Sequence, residues 1–134
     1  MVTELSKGGI FTKINLKGYL KDITNNEITK INTSGIKQQK KLSFYLDNDR
    51  YILKIISPTK LILTRTNEEI NSNIYFEENK ILPALYTIKE NDLSLEIDIK
   101  TESINLTDNY IKLIYTVIDS NTKYEYYIEM SEYK

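Results

Sequence analysis

The sequence contains no histidine, no cysteine and no tryptophan, with only 2 prolines and 4 glycines. Without histidine, the usual zinc, copper and non-haem iron ligand sets cannot be built, and neither can imidazole-based general-base catalysis or the triads that depend on it. Without cysteine there is no thiol nucleophile, thiolate metal site, redox switch or disulfide. An excess of one charge is also missing. Lys and Arg number 18 against 19 Asp and Glu, a net charge of −1, so no global positive field draws in nucleic acid or an anionic membrane. No apolar run approaches the roughly 18 residues of a spanning helix. The opening MVTELSKGGIF has no apolar stretch of the secretory kind. The expectation is a cytoplasmic protein, neither exported nor inserted.

What is abundant is isoleucine, 21 against 2 valines, lysine, 16 against 2 arginines, and asparagine, 13 in all. Codons rich in A and T produce this pattern, so individual lysines and asparagines carry little functional weight. The 11 tyrosines suit strands that are apolar at the base and wet at the tip.

The clearest local order is Asp92 to Glu102. Leu93, Leu95, Ile97 and Ile99 alternate with Ser94, Glu96, Asp98 and Lys100, which predicts a half-buried strand with the apolar set in the core. Similar segments flank it: Ile10 to Asp22, Glu27 to Ser34 ending at Gly35, Lys40 to Asp47, Arg50 to Ser57, Lys60 to Arg65, Ile70 to Glu77, Lys80 to Lys89, Tyr110 to Asp119 and Lys123 to Glu132. Pro83 within Lys80 to Lys89 points to an edge or a bulge. Short Asn-, Asp- and Ser-containing turns separate the segments, and none has helical periodicity. The fold class is therefore all-β: one antiparallel meander over residues 1–134, with residues 1–8 a flexible arm. Some eight to ten strands in so small a domain should curl into a barrel, which also removes sticky edges.

Several runs resemble a known family: Gly35, Leu-Ser-Phe-Tyr-Leu-Asp at Leu42 to Asp47, Leu-Ile-Leu-Thr-Arg ending in Arg65, Phe76, Tyr86-Thr87, and the Leu93 strand closing in Thr101-Glu102-Ser103-Ile104. They are similar to the bacterial family of unknown function numbered 1934, the YwiB-like small β-barrels placed with the calycins. The resemblance spans nearly the whole chain and implies a calycin-like barrel. Two departures stand out. Asn67 and Asn91 sit near places where the family has glycine, and Gly18-Tyr19-Leu20 replaces the Gly-x-Trp of small-molecule-carrying calycins.

Candidate site residues follow from parity and from the resemblance. Arg65 shares parity with Leu61 and Leu63, placing a guanidinium on the inward face or at the barrel mouth, where it must be paired. The family pattern suggests Asp47, two residues beyond Tyr45, as its partner. The site is then either an anchor for an anion or carboxylate or a structural ion pair closing one barrel end. Tyr45, Tyr86 and Tyr115 can line a ligand cavity, fill the core or cover the outside of strands. Tyr124, Tyr126 and Tyr127 with Lys123, and the cluster Lys37, Lys40 and Lys41, superficially resemble a nucleic-acid surface, but the balanced charge favours solvated hairpin ends. Asp47-Asn48-Asp49 begins like a calcium loop and lacks its later glycine and acid, so it is read as a turn. No metal and no cofactor is expected.

Three functions remain open. The first is a non-catalytic barrel that binds a small anionic or amphipathic molecule near Arg65. The second is an interaction or assembly module with a packed interior, using its exterior or forming a homodimer. An enzyme working through Arg, Tyr and carboxylates is the third and the weakest.

Overall fold

The computed structural model describes residues 2–6 and 9–133, with side chains from residue 11 onward. The strands are Val2–Ser6 (β1), Gly9–Asp22 (β2), Glu27–Gln38 (β3), Lys41–Leu46 (β4), Asp49–Ser57 (β5), Lys60–Thr66 (β6), Ile70–Glu77 (β7), Ile81–Ile88 (β8), Leu93–Leu106 (β9), Tyr110–Val117 (β10) and Thr122–Glu132 (β11). No helix among the described residues is long and apolar enough to cross a membrane.

Strands β2 to β11 pair antiparallel in succession. β2 also pairs with β11, which closes a ten-strand barrel. Within the 1–8 segment that the sequence suggests as an arm, Val2–Ser6 form a strand, β1, paired with β2. The Val2–Lys13 rung lies next to the Glu132–Ile14 rung that ends the β11 ladder. Met1, Lys7 and Gly8 lie outside the described residues.

Alternation places one apolar face inside. Leu16, Leu61, Phe76, Ile99 and Leu113 from five strands are fully buried there, the kind of dense filling a small barrel requires. The tight connections use left-handed backbone at Asn26, Gln39, Asp47, Asn79, Asp92 and Asn121. All but one of these are Asn or Asp, the residues besides glycine that tolerate this region best.

The sequence suggests that the second strand ends at Gly35, but β3 runs through it to Gln38. Glycine is needed at that position because a Cβ would lie 2.8 Å from the Ser43 carbonyl oxygen on β4 and 2.9 Å from a Leu16 methyl. Gly18 is tighter still, since a Cβ would stand 1.7 Å from the Tyr127 carbonyl oxygen on β11. Pro83 falls where the β7–β8 ladder has stopped. That ladder runs only from Ile70–Ile88 to Asn73–Leu85, so the missing N–H costs no rung.

β9 contains two features that simple alternation hides. Its buried positions shift from Ile99 and Thr101 to Ile104, because the β10 ladder slips between Ile114 and Tyr115 and leaves Glu102 without an opposite residue. That is a β-bulge, and it bends the long strand around the barrel. At the other end, Leu93 and Leu95 keep the inward parity but are 49% and 50% exposed. They are not core residues, because the β8–β9 hairpin rises past the Val117–Ile99 rung where β10 ends.

Candidate functional site: the tyrosine and arginine end of the barrel

Inward parity brings Tyr51 of β5, Arg65 of β6, Tyr86 of β8, Tyr115 of β10, and Tyr124 and Tyr126 of β11 to one end of the barrel. The rings pack in two groups. Phe44 stacks on Tyr51, with centroids 5.1 Å apart and planes 5° from parallel. Tyr115 lies 4.9 Å from Phe76, 5.3 Å from Tyr124 and 6.3 Å from Tyr126. Such contacts add to the burial of aromatic area.

Arg65 stands across the β5–β6 ladder from Tyr51, its guanidinium carbon 5.9 Å from that ring's centroid. Its Nε donates to Asp49 Oδ2 at 2.7 Å, and Nη2 lies 2.6 Å from the same oxygen. Asp49 Oδ1 accepts from Asn67 Nδ2 at 2.9 Å. The bond from Asn67, reinforced by Arg65, holds the Asp49 carboxyl below its usual range despite the opposing effect of burial. For Arg65, burial opposes the charge, but the Asp49 hydrogen bond and the fields of Tyr51, Asp49 and Tyr126 outweigh it and raise the pKa.

Burial pushes up the phenols of Tyr51, Tyr86, Tyr115, Tyr124 and Tyr126, most for Tyr115 and Tyr126. Among the described residues, none of these five hydroxyls has a hydrogen-bond partner. The buried side-chain polar atom without a partner there is Thr101 Oγ1, while Tyr115 is buried and Tyr51, Tyr86, Tyr124 and Tyr126 are half-buried. Two of them, Tyr51 and Tyr126, line a pocket of about 40 Å³ together with Leu20, Thr29, Ile31, Phe44 and Leu46. That holds a few waters and no larger molecule.

The sequence candidates divide accordingly. Arg65, Tyr86 and Tyr115 come together. Asp47 and Tyr45 do not join them, because Leu42 and Phe44 point inward and put the intervening parity outside. Tyr45 is 62% exposed, and Asp47 is a turn residue at φ 57°. The partner of Arg65 is Asp49, which shares the inward parity of Tyr51 and Leu53. Inward parity with Leu53 marks Asp49 and Tyr51 in the sequence, whereas Asn67, in the turn after β6, carries no such signal. Asn67 does not replace glycine at positive φ. Its Oδ1 instead accepts from the backbone N–H of Glu69 and Ile70 at 2.8 and 2.9 Å. Near Asn91 the left-handed residue is Asp92. Tyr124, Tyr126 and Tyr127 share no single stacking surface, since Tyr127 faces outward against Tyr19 and Tyr110. Among the described residues there is no cluster of three or more acidic side chains able to hold a metal ion.

The fold is similar to that of the ywiB protein from Bacillus subtilis, known from its crystal structure. The TM-score is 0.72 at 22% sequence identity, over 92% of this chain and 94% of that one. At this identity the likeness extends to the fold. No family model matches the sequence, and no curated protein matches it.

Proposed function

We propose that the barrel is a non-catalytic binding module whose tyrosine-lined rim holds a small amphipathic anion. The observation that carries this reading is the convergence of Arg65 with five tyrosine hydroxyls that lack protein partners among the described residues. Arg65 engages Asp49 through Nε and Nη2. The guanidinium has five N–H donors, so donors remain for an acidic head group, and the side chain is 42% exposed. The faces of Tyr51, Tyr86 and Tyr124 offer an apolar rest for the remainder of such a molecule, with hydroxyls at their tips.

Decanoate and decanol, which differ only in the head group, separate this reading from a purely structural ion pair. Saturable shifts of the Arg65 Nε–H and tyrosine ring signals with decanoate, much weaker with decanol, are expected in NMR titrations. Arg65→Lys should keep part of the preference and Arg65→Met should lose it, with circular dichroism confirming both folds. Equal responses to acid and alcohol, or none to either, would mean that the Arg65–Asp49 pair only closes the barrel.

A further inference from the structure

The β8–β9 hairpin outlasts its neighbour on one side only. Beyond the bond from Ile118 N–H to the Asp98 carbonyl, 3.0 Å, no strand among the described residues pairs with Leu93–Ile97 on the side away from β8. In a strand, the peptide groups of alternate residues face the same edge. Because the Asp98 carbonyl faces β10, the N–H and C=O groups of Ser94 and Glu96 face the open side above it.

The side chains along this edge are distinctive. Leu93 and Leu95 stand half exposed on the inner face. Ser94, Glu96 and Asp98 are exposed on the outer face, and Asp92 and Asp119 are exposed in the adjoining turns. None of these carboxylates joins an ion pair among the described residues, where the pairs involve Asp49, Glu77, Glu102 and Glu125. The edge therefore combines free backbone groups, an apolar inner face and an outer face whose carboxylates join no ion pair among the described residues.

We propose that the Leu93–Ile97 edge accepts an extended polypeptide segment of alternating apolar and basic residues, added as a strand beside β9. Such strand addition draws its affinity from main-chain hydrogen bonds and its selectivity from alternate side chains. Apolar residues of the incoming segment cover Leu93 and Leu95, while its lysines or arginines meet Glu96 and Asp98. A second copy of this chain is a poor occupant, because antiparallel self-pairing centred on Leu95 sets Asp92 against Asp98, and like charges placed opposite each other are unfavourable. The site uses different residues from the Arg65 rim and stands or falls separately.

Backbone amide exchange, followed by NMR with a capped Lys-Val decapeptide and its Glu-Val counterpart, tests this directly. The basic peptide should slow exchange at Ser94 and Glu96 about tenfold or more, and the acidic one should leave it unchanged. Glu96→Pro removes only the outward N–H and spares the β8 ladder. It should abolish the protection at Ser94 while the β8 amides stay protected, showing that the fold is kept. Changing Glu96 and Asp98 together to lysine should transfer the preference to the Glu-Val peptide. Unchanged exchange, equal protection by both peptides, or concentration-dependent protection without peptide and with a dimer mass would each overturn the proposal.

Discussion

Arg65 meets Asp49 on the diagonal of the β5–β6 ladder, one inward position beyond its direct partner Tyr51, with two guanidinium nitrogens converging on a single carboxylate oxygen. The other oxygen is occupied by Asn67, so Asp49 ties β5 to both β6 and the turn that follows it. Replacing Asp49 with Ala strands a partly buried guanidinium and an amide. Because the pair is partly solvated, the expected loss is modest, roughly 1–2 kcal/mol. The Asp49 pKa is lower in the fold than in the unfolded chain. Its contribution is therefore present above the unfolded value, near pH 4, and is lost as the pH falls through the lower folded value. Urea midpoints measured through this acid range should show a shallower decline for Asp49→Asn than for the parent protein. Superimposable declines would remove Asp49 from the account.

The outer face titrates at the opposite end of the scale. The Tyr19 hydroxyl donates to Glu125 Oε2. That bond, followed by burial and the Glu125 charge, pushes its pKa up to about 12. A raised folded pKa means that the stabilisation is complete below the ordinary tyrosine value near pH 10 and drains away as pH rises from there towards 12. Ultraviolet titration should therefore show tyrosine ionisation delayed in the folded protein relative to the denatured one. Tyr19→Phe should remove one delayed step and flatten the alkaline loss of stability.

Strand order and inward parity were legible in the sequence because one face of every strand is buried, and alternation records burial directly. The Arg65 end was partly legible. Parity alone puts Arg65, Tyr86 and Tyr115 inside and excludes Tyr45, which sits between two inward residues. The Asp47 pairing rested on a family pattern rather than on parity, and it failed because a residue in a left-handed turn does not continue the face of either strand. The exposure of Leu93 and Leu95 was not legible, since it depends on where β10 turns back, some twenty residues later. The bulge at Glu102 left a trace in the spacing from Thr101 to Ile104, which breaks the alternation by one residue.

Thr101 supplies a prediction of the opposite sign. Its hydroxyl is buried and unpartnered among the described residues, while its backbone is fully engaged, the N–H bonding the Lys80 carbonyl at 3.2 Å and the C=O accepting from Asn79 N–H at 2.9 Å. Valine has nearly the same shape without the hydroxyl. Thr101→Val removes the penalty of a desolvated polar group and should raise stability by about 1 kcal/mol in denaturant titrations. A loss of stability would mean that the hydroxyl is satisfied in solution.

β9 also allows a direct comparison within one strand. Ile99 is 1% exposed, whereas Leu95, four residues earlier on the same face, is half exposed. Cutting either side chain back to Ala removes several methyl and methylene groups of one inward row, so transfer and cavity terms differ only through the surroundings. At Ile99 the neighbours are the packed interior, and the loss should be about 2–5 kcal/mol. At Leu95 water already covers half the side chain and no cavity forms, so about 1 kcal/mol or less is expected. Urea denaturation of the two variants, with m-values checked for constancy, measures the difference. Equal losses would mean that the hairpin lies folded against the barrel mouth in solution, leaving no free edge beside β9.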